Sequence, residues 1–278
     1  MKKFYPKDIQ KLKEGNQKFA TITAYDYTSA KIINDIGFPL VLVGDSASMV
    51  VYGYDDTTPI TMEEMLFVLR SVVRGASSPL IVADMPFLSY QPSLEEAIKN
   101  AGAFIKSGAN AVKLEGGENH CKKIKGLIDS GIPVMGHIGL MPQSINITSG
   151  YKIQGKDEMS ANQIIEDALA VERAGVFSVV LEGIPSDLAK IISQKVNIPT
   201  IGIGSGPYCD GQIQVFHDVL GLDKTFNPRH SKKYVDSYQL FCNALKKYKD
   251  EVEKTDFPTT DHYVGLSSNV EKKITENN

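Results

Sequence analysis

Ala111-Val112-Lys113-Leu114-Glu115-Gly116-Gly117 reads as a short strand running into a glycine pair. Side chains alternate faces along a strand, so Lys113 and Glu115 share one face while Val112 and Leu114 take the other. The two charged groups then stand roughly 7 Å apart, within reach of one small anionic ligand or its metal. A charged pair at the end of an apolar strand, followed by a loop-forming Gly-Gly, has the character of a site. An exposed ion pair on a half-buried edge strand would leave the same trace. The flanking segments decide between the two.

Working outward, short apolar runs predict strands at residues 19–23, 39–43, 80–83, 111–114, 133–137, 177–181, 198–203 and 213–216. The run Leu40-Val41-Leu42-Val43 has the continuous apolar character of a strand buried on both faces. Helical patterns fall between the strands. Thr61 with Glu64, Ser93 with Glu96 and Ser160 with Gln163 spell capping boxes, and Gly37, Gly75, Gly108 and Gly175 mark stops. Strands alternating with helices predict parallel β/α units. About eight such units in roughly 215 residues match a (β/α)8 TIM barrel. An open doubly wound sheet is the alternative, weakened because no Gly-x-Gly-x-x-Gly follows the first strand. The expected organisation is one domain over 1–278, with the barrel at about 19–234 and a C-terminal helix and polar tail at 235–278. Residues 267–278 read as a mobile tail.

The 278 residues are 42% hydrophobic and 23% charged, enough for one large core in a soluble chain. A net charge of -3 gives no support for a nucleic-acid partner. Cys121, Cys209 and Cys242 are widely spaced and form no Cys-x-x-Cys pair, so they suit neither a disulfide framework nor a zinc site. No apolar run approaches the roughly 20 residues that cross a bilayer, and no secretory pattern opens the chain. The expected location is the cytoplasm.

Asp26, Asp45, Asp84, Glu115, His137 and Glu182 each sit at, or just past, the C-terminal end of a predicted strand. In a (β/α)8 barrel those ends converge on one mouth, where the active sites of such enzymes lie. Taken singly, each is also explained as a helix cap or a surface acid; six successive coincidences are not. Asp45, Asp84 and Glu115 offer only oxygen ligands, which favour Mg²⁺ or a similar divalent ion over zinc. His137 suits an acid, base or hydrogen-bond role better than ligation. Lys113 beside a metal is a natural partner for a substrate carboxylate, and an ion pair with Glu115 is its plainer explanation. Glu182 stands alone beyond an apolar strand, where desolvation would raise its pKa as a general base needs. The Gly204-Ser205-Gly206 turn is a weak anion-site candidate, on the expectation that a helix starts there. Residues 141–157 form a long polar loop, a feature more often functional than idle. Together these groups suit a metal-assisted enzyme on a small oxo or hydroxy acid, with an enolate formed by a side-chain base.

At these residues the sequence resembles the ketopantoate hydroxymethyltransferase family. The matching blocks are Thr21-Ile22-Thr23-Ala24-Tyr25-Asp26-Tyr27, Val43-Gly44-Asp45-Ser46, Ala83-Asp84-Met85-Pro86-Phe87, Val112-Lys113-Leu114-Glu115-Gly116-Gly117, Gly136-His137-Ile138-Gly139-Leu140, Gly150-Tyr151-Lys152-Ile153-Gln154-Gly155 and Asp210-Gly211-Gln212. The resemblance implies a barrel of the phosphoenolpyruvate/pyruvate type assembled as a homodecamer. It implies transfer of a hydroxymethyl group from 5,10-methylenetetrahydrofolate to 3-methyl-2-oxobutanoate, giving 2-dehydropantoate, the first committed step of pantothenate synthesis. It maps Mg²⁺ onto Asp45 and Asp84 with Glu115 nearby, substrate contacts onto Ser46, Lys113 and His137, and the base onto Glu182. Three positions depart from the family pattern: Ala47-Ser48 for Leu-Gly, Met141 for Thr and Ser205 for Ala. Ser48 in particular replaces a residue with freer backbone angles. Two rivals remain at this point. One is a lyase or mutase of the same barrel superfamily, which would carry a catalytic Cys after the metal-binding strands. The other is a catalytically silent assembly protein, which would lack at least one of Asp45, Asp84, Lys113, Glu115, His137 and Glu182; all six are present.

Overall fold

The computed structural model describes residues 2–148, 150–224 and 228–276. In chain order its elements are α1 (Pro6–Glu14), β1 (Phe19–Thr23), α2 (Tyr27–Ile36), β2 (Leu40–Val43), α3 (Ala47–Val50), α4 (Met62–Gly75), β3 (Leu80–Asp84), α5 (Leu94–Lys106) and β4 (Ala111–Glu115). There follow α6 (Cys121–Asp129), β5 (Val134–Gly139), α7 (Ile145–Thr148), α8 (Glu158–Ala174), β6 (Ser178–Glu182), α9 (Ser186–Lys195), β7 (Thr200–Ile203) and β8 (Gly211–Gln214). Helices α10 (Phe216–Leu220), α11 (Ser237–Glu253) and α12 (Ser268–Thr275) end the chain. The strands pair in parallel with their sequence neighbours, and β8 returns to β1, closing the predicted (β/α)8 barrel.

Strand periodicity places the site. Leu40, Leu42, Leu80, Val82, Ala111, Met135, Val180, Ile201, Ile203 and Ile213 pack into one buried cluster with Ile9 of α1. Their outward-parity neighbours Val41, Val43, Ile81, Ala83, Val112, Leu114, Val134, Val179 and Leu181 belong to a second cluster, shared with the surrounding helices. The first cluster fills the barrel and the second lies between barrel and helices, as the period of two requires. Asp84, Lys113, Glu115, His137 and Glu182 have the inward parity. They therefore stand in the barrel above an apolar floor. Helix α1 contributes to that floor through Ile9, with Phe4 and Leu12 packed beside it. Helix α1 is not among the helices expected from the sequence.

The Thr61 capping box forms with both bonds in place, and Ser93 accepts from the Glu96 N–H. At α8 the cap is Asp157, not Ser160. Ser160 is the third residue of the helix and returns the bond in a box with Asp157, while Gln163 reaches Asp167 at 3.3 Å. Strand β8 lies two residues earlier than predicted, because the Phe216 N–H is taken by Thr23 Oγ1 and the chain turns into α10. No helix separates β7 from β8, so Gly204-Ser205-Gly206 is a strand-to-strand turn and not a helix start. Ser205 spends its hydroxyl on the Leu181 carbonyl at 2.7 Å. The polar tail contains α12, with no buried residue, where the sequence suggests a mobile segment; residues 277–278 lie outside the described part.

Candidate active site

Parallel register brings the mouth together. Asp84 lies opposite Lys113 across β3 and β4, Glu115 opposite His137 across β4 and β5, and Gly139 opposite Glu182 across β5 and β6. Lys113 Nζ donates to both Asp84 oxygens, at 2.7 and 2.8 Å, with both side chains buried. Its partner is therefore Asp84 rather than Glu115. Burial pulls the Lys113 pKa down, and the charges of Asp84, Glu115 and Asp45 outweigh it, leaving the ammonium raised and charged. Asp45, just past β2, donates its N–H to Asp84 Oδ2 at 3.4 Å. Burial, then the Asp84 charge, pushes the Asp45 carboxyl up to about 8. Burial lifts Glu115 well above the usual carboxylate range, with Lys113 opposing.

His137 stands between two carboxylates. Its Nδ1 is 3.6 Å from Glu115 Oε1, and its Nε2 is 3.3 Å from Glu182 Oε2. Glu115 Oε1 and both ring nitrogens are buried and make no hydrogen bond. Buried polar atoms ordinarily have partners, so this trio marks the place where a bound group supplies them. Glu182 is the more open member, its side chain 17% exposed against 3% for Glu115.

Asp26 does not join the mouth. It is exposed and caps α2, accepting from the Ser29 N–H at 2.8 Å. One residue earlier Tyr25 is buried, and its hydroxyl meets Ser46 Oγ at 2.8 Å. Tyr25, Tyr90 and Gln143 are the members that sequence reasoning missed. Tyr90 is buried, donates to Gln143 Oε1 at 2.9 Å and accepts from the Glu115 N–H. Gln143 enters from the 141–157 segment, which is no plain loop: a 3-10 turn at Pro142–Ser144 leads into α7. The one signal for it is Pro142, whose fixed φ suits a helical start. Residue 149 of that segment lies outside the description.

The departures from the family pattern leave the mouth intact. Ser48 lies in α3, is not among the positive-φ residues, and donates its buried hydroxyl to the Asp56 carbonyl at 2.6 Å. Met141 takes extended backbone ahead of the 3-10 turn. Gly139 is needed as glycine: its φ is +94°, and a Cβ there would lie 2.3 Å from the Glu182 carbonyl oxygen. Cys121 opens α6 with its thiol toward the Gly117 carbonyl, and Cys209 is buried, so neither stands where the rival lyases would carry their nucleophile.

The donors fit a hard cation. Asp45 and Asp84 are two carboxylates set side by side in a buried space, and Glu115 offers an unpartnered oxygen. Among the described residues no three His, Cys, Asp or Glu side chains are already gathered as a cage. Mg²⁺ commonly takes only one or two carboxylates and completes its shell with water and substrate, so the pair suffices.

The closed barrel, with its polar residues gathered at one mouth, defines a (β/α)8 TIM-barrel protein. Solved structures agree on the fold: phosphonopyruvate hydrolase with oxalate and Mg²⁺ superposes with TM-score 0.61 at 11% identity, over 99% of this chain and 96% of its own. A 2,3-dimethylmalate lyase, itself a PEP mutase/isocitrate lyase superfamily member, gives 0.60 at 14% identity, over 99% and 100%. Sequence is more specific. The family model for ketopantoate hydroxymethyltransferase matches residues 3–260. The 3-methyl-2-oxobutanoate hydroxymethyltransferase of Thermosipho melanesiensis is 54% identical over 249 residues, covering 90% of this chain and 94% of the relative. The protein of that name from Clostridium beijerinckii is 49% identical over 267 residues, covering 96% and 97%. The chain belongs to the ketopantoate hydroxymethyltransferase family and is an enzyme of it. Among the described residues no helix is long and apolar enough to cross a membrane.

Proposed function

We propose that the enzyme transfers a hydroxymethyl group from 5,10-methylenetetrahydrofolate to 3-methyl-2-oxobutanoate, yielding 2-dehydropantoate for pantothenate synthesis in the cytoplasm. The carrying observation is the single mouth, in a chain of this family, that holds a cationic Lys113, paired carboxylates and a Glu115–His137–Glu182 line in which Glu115 Oε1 and both His137 nitrogens make no hydrogen bond. Asp45 and Asp84 would hold Mg²⁺, with Glu115 directly or through water. When bound, the ion supplies Lewis-acid stabilisation of the charge developing on the 2-oxo oxygen.

The protein's own groups do the rest. Lys113 and Ser46 hold the substrate carboxylate; Tyr25 fixes the Ser46 hydroxyl. Glu182 takes the proton from C3, and that carbon bonds to the methylene carbon as its link to one of the two folate nitrogens breaks. Water supplies the hydroxyl oxygen as the link to the second nitrogen breaks, and tetrahydrofolate leaves with the protons from C3 and water on its two nitrogens. His137, buried between Glu115 and Glu182, meets the new hydroxymethyl oxygen. The test is formation of 2-dehydropantoate from both substrates with Mg²⁺. Chelation should abolish it and excess Mg²⁺ restore it; turnover unchanged after exhaustive chelation would sink the metal assignment, and no folate-dependent product would sink the reaction.

The same reading includes a homodecamer. Phe241, Leu245, Tyr248 and Val252 recur at helical spacing along α11 and are 57%, 67%, 55% and 43% exposed, an apolar stripe suited to a neighbouring copy. Phe241→Glu should lower the mass seen by light scattering. An unchanged mass would remove α11 from the assembly contact.

A further inference from the structure

Gln143 is the most connected polar side chain of the mouth, and the reaction outlined above uses it nowhere. Its Nε2 donates to Asp45 Oδ2 and to the Met85 carbonyl, both at 2.9 Å. Its Oε1 accepts from Tyr90 at 2.9 Å and from Gln91 Nε2 at 3.2 Å. Its own N–H donates to Glu115 Oε2 at 3.1 Å. The Met85 carbonyl can only accept, so the N–H₂ end must face it and Asp45; a flipped amide would set oxygen against oxygen. One buried residue thus ties the ends of β2, β3 and β4, and it does so from the start of the 141–157 segment.

We infer that Gln143 is a positioning residue that sets the Asp45 carboxylate and turns Glu115. It holds Oε2 of Glu115 by the main chain, which leaves Oε1 as the free oxygen facing His137. Tyr90 orients the amide and so acts one step further back. The inference rests on the metal reading of Asp45 and Asp84. Groups that orient metal ligands are commonly worth tenfold to a hundredfold in affinity.

Two substitutions, one at Gln143 and one at Tyr90, separate positioning from mere filling. Gln143→Glu has the same shape and still accepts from Tyr90 and Gln91, so a space-filling role survives it, and only the bonds donated to Asp45 and the Met85 carbonyl are lost. It places an oxygen against Asp45 where a donor stood, so positioning does not survive. Mn²⁺ binding, followed by calorimetry without either substrate, should weaken about tenfold or more, with circular dichroism unchanged. Tyr90→Phe should weaken it by a smaller factor, about threefold to tenfold, the worth of one hydrogen bond; this variant carries the test if Gln143→Glu fails to fold. Unaltered Mn²⁺ affinity in the folded variants overturns the inference while the metal reading stands. Failure of the unsubstituted enzyme to bind Mn²⁺ overturns the metal reading and the inference with it.

Discussion

Asp84→Ala is expected to destabilise the barrel by about 3–5 kcal/mol and to abolish Mg²⁺-dependent turnover. The stability figure is the usual cost of removing one partner from a buried ion pair. Lys113 is 3% exposed, and both its hydrogen bonds to carboxylate go to Asp84. Without Asp84 an ammonium stays in the barrel with no anion within bonding distance, and its desolvation is no longer offset. A denaturant midpoint followed by circular dichroism measures the loss. Replacing both partners with apolar groups, Asp84→Leu with Lys113→Met, should recover much of that stability, since buried pairs are often no better than apolar packing. It should recover no activity. That split distinguishes a pair retained for chemistry from one retained for folding. An Asp84→Ala variant within about 1 kcal/mol of the parent would mean that the pair is not held as described, because such a loss is ordinary for any substitution.

Most of this pair, and most of the barrel, was legible in the sequence, because strand ends in a (β/α)8 fold sit at fixed places in a repeating pattern. Asp84, Lys113, Glu115, His137 and Glu182 share one parity, and that parity is countable from residue numbers. The misreading of Asp26 has a simple cause: β1 stops at Thr23, so strand parity does not carry to it, and it caps α2 while Tyr25 beside it is buried against Ser46. Pairing was less legible than position. Glu115 is two residues from Lys113, yet the register sets Asp84 opposite it, and cross-strand neighbours outrank neighbours along a strand. Helix α1 was missed because its charged residues read as a solvated lead, and its use depends on Ile9 meeting a cavity built by eight distant strands. Gln143 was missed for a related reason. A glutamine in a loop carries no charge and no motif; its importance comes from reaching three strand ends at once.

Glu182→Gln is expected to lower turnover by about 10²–10⁴-fold, the range for loss of a general base, while leaving the fold and Mn²⁺ affinity in place. The substitution keeps size and hydrogen bonding and removes only the capacity to take a proton. Position favours Glu182 over its neighbours for this step. Asp84 is committed to Lys113, and Glu115 is fixed by Gln143 and buried. Glu182 is the carboxylate with exposed surface at the mouth, where the C3 proton of a substrate seated on Lys113 and Ser46 would arrive. Gly139 keeps its main chain in place, because any side chain there would collide with the Glu182 carbonyl. The decisive measurement is exchange of the C3 proton of 3-methyl-2-oxobutanoate into D₂O, followed by NMR with Mg²⁺ and without folate. It reports proton removal alone and should fall with turnover in Glu182→Gln. His137→Gln should keep that exchange and lose product, because its contact is made only with the transferred unit. If Glu182→Gln exchanged the proton at the parent rate, the base would have to be sought elsewhere, and His137, 3.3 Å away, would be the group to try.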